Sequence, residues 1–218
     1  MKTFNHIKHD LPSLKRINED GKRLYNTPDG KSYPSVTTIT SSINEESIKK
    51  WRKKVGEQEA NKISNRACQR GTSVHSLCEN YLLNNHVQTD IFDQENFDVL
   101  KPYLERIDNI HALESKMYSH TLEVAGTVDC IAEFDGNLYV IDFKTSRKPK
   151  KPEYIHNYFM QCSAYAYMFY EHTGILIKEL LILISVDDNE PQIFIEPTDK
   201  WLKEFVKIRK EFKEKNGY

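Results

Sequence analysis

The segment from Gly126 to Thr145, GTVDCIAEFDGNLYVIDFKT, holds two carboxylates and an amine that could act together. Within it Asp135-Gly136 suits a two-residue hairpin turn. A turn there pairs Phe134 with Asn137, sets Asp129 opposite Asp142 and sets Thr127 opposite Lys144. By strand alternation Val128, Cys130, Ala132, Phe134, Tyr139, Ile141 and Phe143 form one apolar face, and Asp129, Asp142 and Lys144 point the other way. Two carboxylates facing each other across a ladder repel by roughly 0.2–1 kcal/mol when exposed, and by more when desolvated. A divalent cation between them removes that repulsion, and hard oxygen ligands suit Mg²⁺ or Mn²⁺. Lys144 could then position or deprotonate a water, or neutralise charge developing on a phosphate. The plain alternative is a solvated strand face on which Lys144 balances the acids.

Two other groupings could join that chemistry. His75 and Glu79 lie four residues apart, on one face of an expected helix at the border of its buried stripe. Gln161 and Tyr165 share a face of another helix one turn apart and could hydrogen-bond a nucleotide or hold Lys144. Each reads equally as ordinary packing: a boundary histidine, and a core aromatic with a polar tip.

The elements that must position these groups follow from periodicity. Residues 1 to 22 are polar and are expected to be loosely ordered, and Arg23 to Tyr33 reads as a hairpin around Pro28-Asp29-Gly30. Pro34 to Ile39 suits either a strand or a short helix capped by Ser35. A polar helix is expected from Glu45 to about Ala67, broken at Arg70-Gly71, with Thr72 capping the next. There Val74, Leu77, Cys78, Tyr81 and Leu82 make one buried stripe. A further helix covers Glu95 to Ile110. The period then changes to two, giving strands over Ala112–Tyr118, Leu122–Phe134 and Leu138–Thr145. A helix from Glu153 to about His172 stops at Gly174, and strands over Ile175–Val186 and Gln192–Ile195 pair around Asp187-Asp188-Asn189. Thr198 caps a terminal helix carrying Trp201, Phe205, Ile208 and Phe212. The order predicts a mixed α/β layered fold.

Composition narrows the classes. The 218 residues carry 31 Lys+Arg against 32 Asp+Glu, a formal charge of −1, which excludes a protein basic all over. A polyanion partner must therefore meet local patches. The candidates are Lys49 to Lys54 around Trp51, Arg147 to Lys151 directly after the strand of Asp142 and Lys144, and the terminal helix. No apolar run approaches the ~18 residues of a membrane span, and the opening MKTFNHIKHD has no apolar signal core, so a cytoplasmic protein without membrane contact is expected. The four cysteines show no C-x-x-C spacing and read as small buried side chains in a reducing compartment.

Taken in order, these motifs resemble the PD-(D/E)XK nuclease superfamily, in its RecB-like exonuclease branch. The likeness runs from Gly71 to Ser185. It rests on the G-T-x-V-H start with His75, Glu114 on the first strand, G-T-V-D ending at Asp129, D-F-K-T from Asp142, and Q-x-x-x-Y at Gln161 and Tyr165. The segment from Tyr33 to Ile39 is similar to the mitochondrial genome maintenance exonuclease group and related phage proteins. The resemblance implies a restriction-endonuclease-like core over 71–218, with a mixed central sheet flanked by helices. It also implies an N-terminal hairpin and helical extension over 1–70 that could arch over a DNA strand. It implies an Mg²⁺- or Mn²⁺-dependent exonuclease that digests DNA from free ends, single-stranded DNA above all, in recombination, repair, replication or phage DNA metabolism. His75, Asp129, Asp142 and the backbone carbonyl of Phe143 would bind the metal, and Glu114 would assist a second one. Lys144 would orient the attacking water, and Gln161 and Tyr165 would support the site or the strand. Two departures stand out. Thr127-Val128 precedes Asp129 where the superfamily name expects a proline. Cys130 and Cys162 fall inside the core rather than flanking it, so no iron–sulfur cluster is expected. An endonuclease of the same fold, or a DNA-binding module without catalysis, is the competing reading.

Overall fold

A computed structural model describes residues 2–19, 22–87 and 91–218. Three short strands, β1 (Lys15–Glu19), β2 (Lys22–Asn26) and β3 (Ser32–Pro34), form an antiparallel sheet. Helices α1 (Val36–Ser42), α2 (Glu45–Val55), α3 (Glu57–Leu82) and α4 (Ile91–Leu104) follow. After them come β4 (Ile107–Ser119), β5 (Val124–Phe134), β6 (Asn137–Ser146), α5 (His156–Thr173), β7 (Glu179–Val186), β8 (Gln192–Pro197) and α6 (Thr198–Asn216). The last five strands make one mixed sheet in the order β4-β5-β6-β7-β8, parallel only between β6 and β7. α5 supplies the crossover that a parallel pair requires.

The apolar pattern explains the layering. Strand β7 is buried from Leu180 to Val186, as a strand covered on both faces must be. Its alternate side chains enter two cores. Leu180, Ile182 and Ile184 pack under α5, α6 and α1, and Leu181 and Leu183 pack under α3 and α4. Helix α5 is buried almost all round between the sheet and α6, which blurs the one-sided stripe its sequence suggests, and it ends at Gly174 with φ 73°. In the β5–β6 turn, Asp135 and Gly136 both take positive φ, 50° and 81°, as a type I′ turn demands.

Several boundaries depart from the sequence reading. The described residues before Lys22 are not loose: Phe4 and Leu14 are buried, and the backbone of Asn5 and Ile7 bonds Ile110 at a bulge in β4, while residues 1, 20 and 21 lie outside the described residues. Polar composition hid these anchors, which are single residues rather than a periodic face. The chain breaks at Gly56, φ 91°, and not at Gly71, through which α3 runs on. A glycine inside a helix costs about 1 kcal/mol against alanine, little beside the packing of a 26-residue helix; a boundary at 70/71 therefore falls within α3. Helix α4 stops at Leu104 and β4 begins at Ile107; Ile107 and Ile110, three residues apart, reach the same core because β4 is irregular between Asp108 and Ala112. Cys68 is exposed, unlike Cys78, Cys130 and Cys162. Pro34 to Ile39 resolves to the capped helix: Ser35 Oγ accepts from the Thr38 N–H at 3.0 Å.

Candidate active site

The hairpin register holds from Phe134–Asn137 to Cys130–Ile141 and ends one pair short of Asp129–Asp142. The face assignment changes there too. Cys130, Ala132 and Phe134 enter the core under α3, as expected, but Val128 enters the core under α5. Strand alternation alone would put Val128 with the others, so the strand slips phase at Asp129. The other neighbour is irregular at the same point. Leu113 faces Cys130 and Ser115 faces Val128, yet the intervening pair, Glu114 and Asp129, is missing from the ladder, and Glu114 has φ 44°. Left-handed backbone at a glutamate is strained, and such strain concentrates at functional sites.

Asp129 occupies the opening this creates. Its Oδ2 accepts the Phe143 N–H at 3.0 Å, satisfying an amide that the β5–β6 ladder does not reach, and it lies 3.3 Å from His75 Nδ1 on α3. The His75 ring meets Phe143 edge-on, with centroids 6.4 Å apart. His75, Glu114 and Asp129 thus bring one donor atom each to within 4.8 Å of one another.

Beside this trio runs a buried chain of polar groups. Asp142, 2% exposed, accepts from Gln161 Nε2 of α5 at 3.0 Å through Oδ1. Its Oδ2 is buried without a hydrogen bond of good geometry and rests on an ion pair with Lys144 Nζ at 2.5 Å. Burial pushes the Asp142 carboxyl up to about 7; Lys144 opposes the shift and Asp129 adds to it. Burial alone would lower Lys144, but Asp142 and Asp129 hold its ammonium above the usual lysine range. The amine therefore stays charged at neutral pH. Glu114 is raised to about 7, by burial first and then by Asp129 and Glu79.

The donor set fits a hard divalent cation. It offers carboxylate oxygens and one imidazole nitrogen, and Glu114 of the set and the neighbouring Asp142 are both held towards the protonated form by burial and by nearby acids. Asp142 faces Lys144 and Gln161 rather than joining the close trio. Phe143 contributes its N–H here, to Asp129.

A cavity of about 700 Å³ opens over these groups, walled by α3 at Gly71, Thr72 and Glu79 and by α5 at Tyr158 and Tyr165. Gly126 explains how Tyr165 fits: a Cβ there would lie 2.8 Å from the tyrosine ring and hydroxyl. Tyr158, whose ring lies 5.2 Å from Lys144 Nζ, was not among the expected residues, nor were Arg16 and Arg23 of the first sheet, which also line the cavity. Tyr158 precedes Gln161 by three residues on α5, a spacing that could have found it. The arginines lacked any such signal, since the segment before Arg23 read as loose.

Residues 46–192 match the PD-(D/E)XK nuclease superfamily. The chain belongs to that superfamily. Among curated proteins, the mitochondrial genome maintenance exonuclease 1 of Homo sapiens is 49% identical over 47 residues, 22% of this chain and 14% of that one. The Mus musculus protein of that name is 36% identical over 92 residues, 40% of this chain and 27% of the relative. The Xenopus tropicalis protein is 31% identical over 131 residues, 51% and 35% respectively. The chain thus matches about a third or less of the length of these relatives. Within the superfamily fold, the mixed sheet flanked by helices is the expected core, and its irregular β4–β5 junction carries Glu114 and Asp129, the two acids of the trio.

A second groove, about 850 Å³, lies where α3 passes the end of β6. Its charged lining is Arg66 and Arg70 of α3, Arg147, Lys148 and Lys150, against one carboxylate, Glu59. Arg70 is paired with Asp187 at 2.7 Å, whereas among the described residues the other four have no carboxylate partner. On α2, Lys49 and Arg52 are committed to Glu45 and Glu57, and the helix buries none of its residues. No helix among the described residues is long and apolar enough to cross a membrane.

Proposed function

We propose that the chain is a metal-dependent deoxyribonuclease that hydrolyses phosphodiester bonds from free ends of DNA, single-stranded DNA above all. The observation that carries this reading is the trio of His75, Glu114 and Asp129 within 4.8 Å, beside the Asp142–Lys144 pair. The exonuclease names of the partial relatives support end-dependent action.

His75, Asp129 and Glu114 would hold Mg²⁺ or Mn²⁺, with Asp142 and the Phe143 carbonyl completing the set. When bound, the ion supplies a more acidic water and compensation for phosphate charge. The chain's own groups do the rest. Asp142 fixes the Lys144 ammonium beside the cavity, and Gln161 fixes Asp142. The Lys144 charge orients the attacking water and offsets negative charge on the phosphorus-bound oxygens. Water adds to phosphorus, the bond to the 3′-oxygen breaks, and that oxygen takes up a proton. A 5′-phosphate and a 3′-hydroxyl result. Arg66, Arg147, Lys148 and Lys150 would follow the strand's backbone beyond α3. DNA recombination, repair, replication or phage DNA metabolism is the setting in which such an enzyme would act.

The test uses end-labelled single- and double-stranded oligonucleotides and a single-stranded circle, with Mn²⁺ and with EDTA. Linear single strands should shorten only with the ion, and the circle should stay intact. A cut circle would mean an endonuclease. Metal-dependent binding without any cleavage would mean a binding module.

A further inference from the structure

The catalytic cavity does not end at Glu114. Beyond it lies a second cavity of about 860 Å³ between the first sheet and strands β4 and β5, and the two share Arg16, Glu114 and Thr127 as walls. Its volume lies in the range of small-ligand pockets, about 300–1,000 Å³, so it has room for a nucleotide.

The lining of this second cavity differs in charge from the first. It presents Lys15, Arg16 and Lys116 against one carboxylate, Glu114, with Ser13 and Asn26 as neutral hydrogen-bonding groups. Lys116 Nζ donates to the Leu14 carbonyl at 3.2 Å. None of the three cations has a carboxylate partner among the described residues. Arg16 and Arg23, both exposed, come from paired strands and reach the catalytic cavity. Arg16, which lines both spaces, stands at their junction. A guanidinium there matches a phosphate by its planar fork.

We infer that this cavity is a binding site for a nucleotide bearing a terminal phosphomonoester, held by Arg16 with Lys15. The inference rests on the nuclease reading of the neighbouring trio. It gives that reading a reason for needing an end: the space past the trio takes a dianionic terminus. Such a terminus has two sources, the phosphorylated end of a strand before cleavage and the mononucleotide released after it.

The test uses the full chain in EDTA, where cleavage is off, with short single-stranded oligonucleotides. These carry phosphate or hydroxyl at the 5′ end, the 3′ end or neither. Phosphate at one end should tighten binding by about tenfold. Lys15→Ala, which alters only the second cavity, should weaken that difference while hydroxyl-ended binding changes little; Arg16→Ala should erase the difference, and Arg16→Lys should keep part of it. Competition by deoxythymidine monophosphate identifies the released nucleotide as an occupant, and the oligonucleotide preference identifies the strand end. Absence of both effects, or an end preference that Arg16→Ala and Lys15→Ala leave intact, overturns the site. Cleavage of hydroxyl-ended linear DNA with Mn²⁺ is measured alongside, so failure of the pocket is distinguishable from failure of the nuclease reading.

Discussion

The Lys144 ammonium lies 2.5 Å from Asp142 Oδ2, two residues back on the same strand, and both groups are largely sealed from solvent. Their expected function can be tested by removing either charge. Lys144→Ala or Asp142→Asn should lower cleavage of linear single-stranded DNA by at least about 10²–10³-fold, the scale of losing one stabilising group at a reacting centre. Circular dichroism should report the same fold. Rates near wild type in either variant would remove the pair from the chemistry.

The raised carboxyls make stability depend on pH in a defined direction. Glu114 and Asp142, at about 7 in the folded chain, hold their protons more tightly than in the unfolded chain, where they titrate near about 4. Their contribution to stability is full below about pH 4 and is lost as pH rises through about 7. A cation competes with those protons, so its stabilisation should grow over the same interval. Thermal melts at pH 5.5 and 8, in EDTA and in Mn²⁺, measure both. An ion-induced shift no larger at pH 8 than at 5.5 would count against the trio as ligands. Glu114→Gln should flatten the pH dependence in EDTA.

Gly126 is a packing requirement imposed by Tyr165. Gly126→Ala places a methyl 2.8 Å from the tyrosine ring and hydroxyl, and should cost about 1–3 kcal/mol. Denaturant titration of Gly126→Ala, Tyr165→Leu and the double variant reads the coupling. The double variant should be more stable than the sum of the singles implies, and strict additivity would separate the two residues.

The basic groove predicts a salt effect. Changing Arg66, Lys148 and Lys150 to alanine should reduce the slope of log affinity against log salt by about 0.7 for each phosphate of single-stranded DNA that is no longer neutralised. Fluorescence anisotropy over a salt series gives the slope. A slope unchanged in the triple variant would place the strand elsewhere.

The hairpin, its turn and the helix carrying Gln161 and Tyr165 were legible because each repeats a local rule: Asp-Gly at the turn, alternation along the strand, one face per helical turn. What was not legible depends on departures from those rules. Val128 shares its parity with Cys130 but not its core, because β5 slips phase at Asp129, and nothing in the spacing marks that slip. Arg16 gave no sign of its position, since β1 is held by pairing with β2 and by the single buried Leu14, not by an alternating face. Gly71 misled for the opposite reason: glycine permits a break, but only the backbone angle decides, and here it was Gly56 that used it.

The missing rung between Glu114 and Asp129 has a mechanical meaning. At that point the β4–β5 register skips a pair, and α3 reaches the junction through the side chain of His75. A cation seated on the trio would act as a rivet through all three pieces of chain. Loading the ion should then slow amide exchange in the residues flanking Glu114, Asp129 and His75 as a group, so that arming the site and stiffening the protein are one event.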